Sequence, residues 1–177
     1  MGTVLPVATR HRAYDWEDPA VSAAAAGMDG LSFLRALAEG TVPPPPITAT
    51  MGFTLRSVER GHVVFELEPG EHLYNPIGLI HGGALATLLD SAAGCAVHST
   101  LPVGSGFASL DLSVKFLRPV RADTPRLTCE GTVIQAGSRT ALAEARLYGE
   151  GERLYAHATS TCMIFGPDGR RGDRPPG

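Results

Sequence analysis

The sequence contains few cysteines and little clustered charge, and each shortage excludes a class of protein. Three cysteines in 177 residues, widely spaced and without a C-x-x-C pair, argue against both a disulfide framework and a zinc knuckle. Lysine and arginine number 15 against 18 acidic residues and are thinly spread, so the chain has no electrostatic footprint for nucleic acid. We therefore expect buried free thiols and a small-molecule or protein partner. The cysteines are Cys95, Cys129 and Cys162.

Long apolar runs are missing as well. The longest is interrupted by His81 and Asp90, and the chain does not open on a basic region followed by an apolar one, so neither a membrane span nor a signal peptide is predicted. The default location is the cytoplasm. What the chain does have is 44% hydrophobic residues, enough to build the core of one domain.

The first part of the chain, residues 1–46, is predicted to be an arm that ends in a short helix and a connector. Residues 1–28 have no sustained periodicity. The stretch "DGLSFLRALAEG" has a capping Asp29, apolar residues at helical spacing and a terminating Gly40, which predicts an amphipathic helix. The following "TVPPPPI" predicts an extended spacer, because each proline fixes its own φ and restricts its predecessor. A partner-binding motif is the less simple alternative.

Residues 47–165 are predicted to form the domain itself, and residues 166–177 a disordered tail of Gly, Pro and charge. Alternating apolar residues predict a hairpin over 52–59 and 62–68, and the length and Ala/Leu content of the next segment predict a central helix over 82–98. Further strands are predicted over 107–117, 126–135, 139–148 and 154–165, the first with Leu110, Leu112, Val114 and Phe116 on one face.

This order of elements predicts an α+β fold. A helix that is apolar on nearly every side must be covered on nearly every side, and an antiparallel sheet of about six strands wrapped around it is the simplest cover. Short turns between the last four strands favour antiparallel pairing. Such a sheet has edges, so we expect a homodimer or a larger assembly that protects them.

Asp90 is the most unusual residue of the central helix. It is the only Asp, Glu, Lys or Arg between Glu71 and Asp111. A helical Asp is ordinarily a solvent-facing or capping residue, but aspartate has poor propensity in a helix interior and an unpaired buried carboxylate is costly. Small residues share its face by helical spacing and would let a ligand approach. These residues are Gly83, Ala86, Thr87 and Gly94.

His81 cannot form a dyad with Asp90 inside one helix. Nine residues separate them, which corresponds to about 13 Å of rise and roughly half a turn out of phase. Taken alone, His81 is most simply a loop histidine and the two glycines after it a tight entry turn. At a helix N-terminus, however, the free N–H groups of Gly82 and Gly83 would attract an oxygen that acquires negative charge.

The pattern "N-P-x-G-x-x-H-G-G-x-x-x-x-L-x-D", from Asn75 to Asp90, resembles the signature of hotdog-fold acyl-CoA thioesterases of the phenylacetate-pathway (PaaI-like) type, which include thioesterase superfamily member 2. The later "ASLDLSVKFLRPV" is similar to the strand that follows the central helix in that family. The resemblance covers about residues 47–165. It implies a hotdog fold, an acyl-CoA substrate and a homodimer with two sites at its interface, further assembled as a homotetramer.

The resemblance also implies roles for individual residues. Asp90 would be the nucleophile or general base, and the Gly82 N–H part of an oxyanion hole. His81 would fix the loop and the thioester, Asn75 would hold the water or the carbonyl region, and Ser109 would orient water or substrate. The resemblance also implies that Asp90 of one subunit faces the residues at Asn75, His81 and Gly82 in the second subunit.

For coenzyme A, the resemblance places the nucleotide near Lys115, Arg118 and Arg121, although basic residues at a strand end are usually only solvated. No metal and no cofactor are expected, since coenzyme A is part of the substrate. Two alternatives stay open: a hotdog-fold hydratase or dehydratase, and a non-catalytic acyl-CoA-binding protein.

Overall fold

The computed structural model of the protein describes residues 8–18 and 27–166. Much of the predicted leader (residues 1–7 and 19–26) and all of the predicted tail except Gly166 therefore lie outside the described residues. No helix among the described residues has the length and apolar character needed to cross a membrane.

The described residues form three α-helices: α1 (Gly30–Ala38), α2 (Pro46–Met51) and α3 (Gly82–His98). The predicted first helix is confirmed, with Asp29 as N-cap accepting a 2.9 Å hydrogen bond from the Ser32 N–H, and with Gly40 just after the helix at φ 75°. Leu34 lies on the buried face of this helix.

Helix α2 is a correction to the prediction that "TVPPPPI" is wholly extended. Pro45 is extended at ψ 147°, but Pro46 is the first residue of a helix that ends at Gly52 in the left-handed region. Proline is tolerated at the first helical position, because its missing N–H would have no intrahelical partner there and its fixed φ suits the helix. The extended part of the connector is thus limited to residues 43–45.

The strands of the described residues are β1 (Phe53–Glu59), β2 (His62–Leu67), β3 (Gly106–Ser109), β4 (Ser113–Phe116), β5 (Leu127–Ala136), β6 (Thr140–Gly149) and β7 (Arg153–Phe165). They form one antiparallel sheet in the spatial order β1-β2-β5-β6-β7-β3, with β4 also paired to β7. The predicted strands are confirmed to within about a residue at most ends. Short 3₁₀ turns lie at Glu71–Leu73 and Glu150–Glu152.

The single strand predicted over 107–117 is interrupted, giving β3 and β4. Ser109 pairs with Cys162 and Ser113 pairs with Thr159, so one extra residue is accommodated between them, as in a β-bulge. Asp111 binds groups of β7 at the bulge: its carbonyl accepts from the Ser160 hydroxyl, and its carboxylate accepts from the Thr161 N–H. The uniform alternation predicted for this strand therefore does not extend across the bulge.

Helix α3 lies in the concave face of the curled sheet and contacts β2, β3, β5, β6 and β7. This is the predicted α+β arrangement of one sheet wrapped around one helix. Leu88, Leu89 and Ala92 are fully buried between helix and sheet. The approach is closest at Gly131 of β5, where a Cβ atom would lie 2.1 Å from the carbonyl oxygen of Ala92.

Substituting Gly131→Ala should therefore destabilise the fold. The new methyl group would meet the backbone of Ala92, so helix and sheet must separate, and overpacking of this kind costs about 1–3 kcal/mol or more. Urea unfolding followed by circular dichroism measures the loss. Gly27→Ala is the matched control, since no atom of the described residues lies within 4 Å of its Cβ position; equal stability of the two variants would contradict the packing described.

Candidate active site

Asp90 is half-buried on α3, and the bulged edge strand supplies its partner. The Ser109 hydroxyl, at the end of β3, donates a 2.9 Å hydrogen bond to Asp90 Oδ1. No ion pair within the described part of the chain includes Asp90. The carboxylate is thus fixed by a hydroxyl, with no cation beside it to neutralise it.

Asp90 lines two cavities. One, here called the carboxylate cleft, has a volume of about 330 Å³ and also includes Thr87, Ser109 and Asp111. The other, here called the apolar cavity, has a volume of about 790 Å³ and extends from Asp90 to residues of α1, α2 and β1. The acid therefore stands where a polar cleft and a larger apolar space meet.

Cys95, one turn beyond Asp90 on α3, also lines the apolar cavity. Burial, and secondarily the charge of Asp90, raises the pKa of the Cys95 thiol to about 12. Because the thiolate is the nucleophilic form, this cysteine is inert at neutral pH and serves as part of the apolar wall.

The N-terminus of α3 is capped by His81. Its Nδ1 accepts a 2.8 Å hydrogen bond from the Gly83 N–H, and its carbonyl accepts from the Ala84 N–H. Because Nδ1 is an acceptor, the neutral imidazole carries its proton on Nε2. The exposed ring is thereby oriented by the helix it caps.

The Gly82 N–H is different, because it donates to no protein acceptor among the described residues. It belongs to the first turn, where N–H groups have no intrahelical partner and the helix dipole is positive. Gly82 lines a third cavity of about 320 Å³, here called the helix-start cavity, together with Asn75, Phe116 and Arg118. A ligand oxygen in this cavity would find a free backbone donor.

Asn75 shapes the loop that leads to this helix. Its Oδ1 accepts from the N–H groups of Ile77 and Leu79, both at 3.1 Å, and Gly78 turns the chain at φ 76°. The loop is anchored by the Ile80 N–H, which donates to the Val120 carbonyl. With its oxygen engaged in the loop, the amide NH₂ of Asn75 is the group left for a ligand.

Of the three basic residues predicted to bind coenzyme A, one lines this cavity and two do not. Arg118 lines the helix-start cavity, and its guanidinium donates to the Leu154 carbonyl. Lys115 lies on β4 and Arg121 in the next loop, both exposed and neither among the cavity-lining residues. Arg118 is therefore the basic residue that the fold brings next to Gly82.

The predicted site residues consequently form two separate groups within one chain. Asp90 and Ser109 meet at the carboxylate cleft, whereas Asn75 and Gly82 line the helix-start cavity and His81 caps the helix beside it. This separation agrees with the helical spacing, which places His81 and Asp90 about 13 Å apart along the axis. A single chain does not bring the acid to the backbone donor.

The apolar cavity is the part of the site that the sequence did not reveal. Its wall includes Leu37 of α1, Pro44 and Pro45 of the connector, and Thr48 of α2. The sequence predicts an arm and a spacer here, because its pattern indicates a helix and an extended stretch but gives no sign of which surface they cover. The signal in the sequence that points towards this cavity is the amphipathic helix, whose apolar face requires a partner.

The described residues contain no group of three or more His, Cys, Asp or Glu side chains placed to hold a metal ion. The polar side chains that line the carboxylate cleft and the helix-start cavity are two carboxylates, two hydroxyls, one amide and one guanidinium, which belong to Asp90, Asp111, Thr87, Ser109, Asn75 and Arg118.

Two curated proteins with similar sequences are named as an esterase and a thioesterase. A protein named as an esterase, VNG_1336C from Halobacterium salinarum, is 31% identical over 133 residues, covering 72% of this chain and 86% of that protein. The medium/long-chain acyl-CoA thioesterase YigI of Escherichia coli K12 is 28% identical over 146 residues, covering 74% and 93%.

Solved structures show the same fold. A phenylacetic acid degradation-related protein from Ralstonia eutropha JMP134 has a TM-score of 0.67 and 29% identity, covering 73% of this chain and 98% of that one. The protein smu.793 of Streptococcus mutans, solved with acetyl-CoA bound, has a TM-score of 0.60 and 27% identity, covering 64% and 89%. The family model described as "Thioesterase superfamily" matches residues 77–156, which include α3 and the bulged edge strand. The chain thus belongs to the thioesterase superfamily and has the hotdog fold.

Proposed function

We propose that this protein hydrolyses acyl-CoA thioesters to a free carboxylic acid and coenzyme A, with Asp90 as the reactive group. The single observation that carries the proposal is the position of Asp90, an unneutralised carboxylate at the junction of a polar cleft and an apolar cavity. Family membership, the acyl-CoA named for YigI and the acetyl-CoA bound to smu.793 support the substrate class.

The carboxylate of Asp90 can act in two ways. It either attacks the thioester carbonyl carbon, expelling the thiolate of coenzyme A and forming an anhydride that water then cleaves to free acid and Asp90, or removes a proton from a water that attacks the same carbon and expels the thiolate. The Ser109 hydroxyl, 2.9 Å from Oδ1, holds the carboxylate in one orientation and is placed to contact the attacking water. Thiolate is a good leaving group, so neither route needs a dedicated acid.

The charge that develops on the carbonyl oxygen requires a donor, and Gly82 provides one. Its N–H is free among the described residues and lies at the positive end of α3. A glycine at this position also lets the substrate approach the backbone closely. In this proposal His81 holds the first turn of the helix in place, and the amide NH₂ of Asn75 contacts the carbonyl or the water.

A second copy of the chain would bring these groups together. The edge formed by β3 and β4 lies beside both Asp90 and Gly82, since Ser109 contacts the first and the Phe116 ring lies over the second. This edge exposes Leu110 (58%), Phe116 (52%) and Leu117 (51%). Open strand edges with apolar side chains favour pairing with another chain. We propose a homodimer as the working unit, and a homotetramer as the assembly.

Coenzyme A carries phosphates, and Arg118 is the best placed of the basic residues to bind them. It lines the helix-start cavity with Gly82, so a thioester whose carbonyl oxygen reached Gly82 would have its coenzyme A portion near this guanidinium. Lys115 and Arg121 would contribute from the exposed strand end and loop.

Replacing Asp90 by asparagine should lower kcat for acyl-CoA hydrolysis by about 10²–10⁴-fold, the usual contribution of a catalytic proton-transfer group. The protein should remain folded, because the amide oxygen can still accept from Ser109. Thiol release from acyl-CoA substrates, followed with a thiol reagent, measures the rate. Asp123→Asn, a change on an exposed loop, is the control for lost charge; full activity of the Asp90 variant would show that the assigned chemistry is wrong.

Two substitutions at Gly82 distinguish the effect of losing its N–H from the effect of adding a side chain. Proline removes the N–H, is favoured at the first helical position, and finds its predecessor already extended at ψ 134°. Alanine keeps the N–H while adding the same Cβ, which would lie 3.1 Å from the Phe116 ring.

We expect Gly82→Pro to reduce kcat by about 10²–10³-fold relative to Gly82→Ala, the loss typical of one oxyanion donor. Steady-state kinetics on the two variants provide the comparison. Equal rates for the proline and alanine variants would rule out this N–H as the oxyanion donor.

Mixed dimers test whether the site is shared between chains. If Asp90 of one protomer works with Gly82 of the other, a dimer of one Asp90→Asn chain and one Gly82→Pro chain contains one intact site and one doubly defective site. Co-expression with two different affinity tags yields this heterodimer, and we expect about half of the wild-type activity per dimer. A site contained within one chain would leave both sites defective, so the heterodimer would then be as inactive as either parent.

A further inference from the structure

The apolar cavity is larger than the chemistry at Asp90 requires. Its volume of about 790 Å³ lies within the range of about 300–1,000 Å³ that small-molecule pockets occupy. Resting on the proposed function, we propose that this cavity holds the acyl chain, that the substrates are medium-to-long straight-chain acyl-CoA thioesters, and that α2 sets the chain length.

The cavity begins at the reactive group. Asp90, Ser91 and Cys95 of α3 form one wall, so a thioester held at Asp90 has this space beside its carbonyl carbon. The carboxylate cleft lies on the other side of the same carboxylate. Its volume is about 330 Å³, so it offers no apolar space of comparable size. Among the described cavities that include Asp90, only this one could receive a long apolar substituent.

The lining favours an aliphatic chain over a charged or a compact aromatic group. Buried apolar side chains form the inner part of the cavity, and Asp90 and the rim residue Glu39 are its only charged members. A single phenyl ring would leave most of these walls without contact, and unfilled apolar space forfeits dispersion attraction. The buried apolar residues are Leu34, Phe53, Leu55 and Phe65.

The far wall is α2 with its connector, and several contacts hold it in position. Pro44 and Pro45 restrict the approach to the helix, and the Thr48 hydroxyl donates to the Pro45 carbonyl at 2.7 Å. From the N-terminal segment, the Arg12 guanidinium donates to the Ala49 carbonyl at 2.8 Å. A wall fixed at several points can limit the length of the acyl chain, because it does not move to accommodate a longer one.

Helix α2 provides a matched pair of residues for a test. Thr48 is half-buried and lines the cavity, whereas Thr50 is exposed and is not among the lining residues. Each hydroxyl donates to a backbone carbonyl of the same turn, so both lose the same kind of hydrogen bond on substitution. Thr48→Phe narrows the cavity, and Thr50→Phe adds the same ring outside it.

The experiment compares kcat/KM for butanoyl-, octanoyl-, dodecanoyl-, hexadecanoyl- and phenylacetyl-CoA in full-length wild-type protein and both variants. For the wild type, we expect kcat/KM to increase by up to about fourfold per methylene until the cavity is filled, and octanoyl-CoA to exceed phenylacetyl-CoA. Thr48→Phe should reduce kcat/KM for dodecanoyl-CoA by on the order of tenfold or more while butanoyl-CoA changes little. Thr50→Phe should keep the wild-type profile.

Binding of S-dodecyl-CoA, a thioether without a carbonyl, measures the cavity independently of catalysis. Isothermal titration calorimetry should show weaker binding to Thr48→Phe than to wild type or Thr50→Phe, with S-butyl-CoA unaffected. A profile that does not depend on chain length, a preference for phenylacetyl-CoA, or identical behaviour of the two variants would overturn the assignment of the cavity. Absence of hydrolysis with every thioester would instead contradict the proposed function, and the thioether titration would still test the cavity.

Discussion

The close packing of α3 (Gly82–His98) against the concave face of the sheet is the interaction on which the rest of the structure depends. Leu88 and Leu89 are fully buried there, and burial of each such side chain contributes about 1.5–3 kcal/mol. Gly131 lets the sheet reach the Ala92 backbone, so the strands can curl around the helix rather than lie flat beneath it. Most of the hydrophobic core is organised around this one contact.

The same packing decides where chemistry can occur. The curled sheet covers the helix from one side. The part of α3 that the sheet leaves uncovered, between the two edges of the sheet, carries Asp90 and borders the cavities. The start of the helix emerges at the edge strand, which leaves the Gly82 N–H free. A carboxylate and a backbone donor are therefore presented by one helix, but at positions about 12 Å apart along its axis. Because of this distance, one chain alone does not bring them to the same thioester.

Much of this could be predicted from the sequence because the relevant signals are local. The alternation of Val63, Phe65 and Leu67 identifies a half-buried strand, and all three are buried. The isolation of Asp90 in an apolar helix is equally visible in the sequence. The motif from Asn75 to Asp90 then indicates a family, and the comparisons confirm that family and its fold.

The features that the sequence does not predict depend on contacts between distant parts of the chain. The bulge in the edge strand is stabilised by Asp111 accepting from Ser160 and Thr161, about fifty residues away in sequence. Helix α2 follows a run of prolines, which suppresses a helix prediction even though proline is acceptable at the first position. The apolar cavity exists only once α1, α2 and β1 have packed near Asp90.

In the proposed site, the carboxylate and the oxyanion donor come from different chains. A crystal structure with a ketone analogue of octanoyl-CoA, which has a methylene between sulfur and carbonyl, would show both contacts at once. We expect the ketone oxygen about 2.7–3.1 Å from the Gly82 nitrogen of one protomer. We also expect the Asp90 carboxylate of the partner about 3–3.5 Å from the ketone carbon, or one water away. An analogue bound by Asp90 and Gly82 of the same protomer, or with its carbonyl remote from every Asp90, would rule out a site shared between chains.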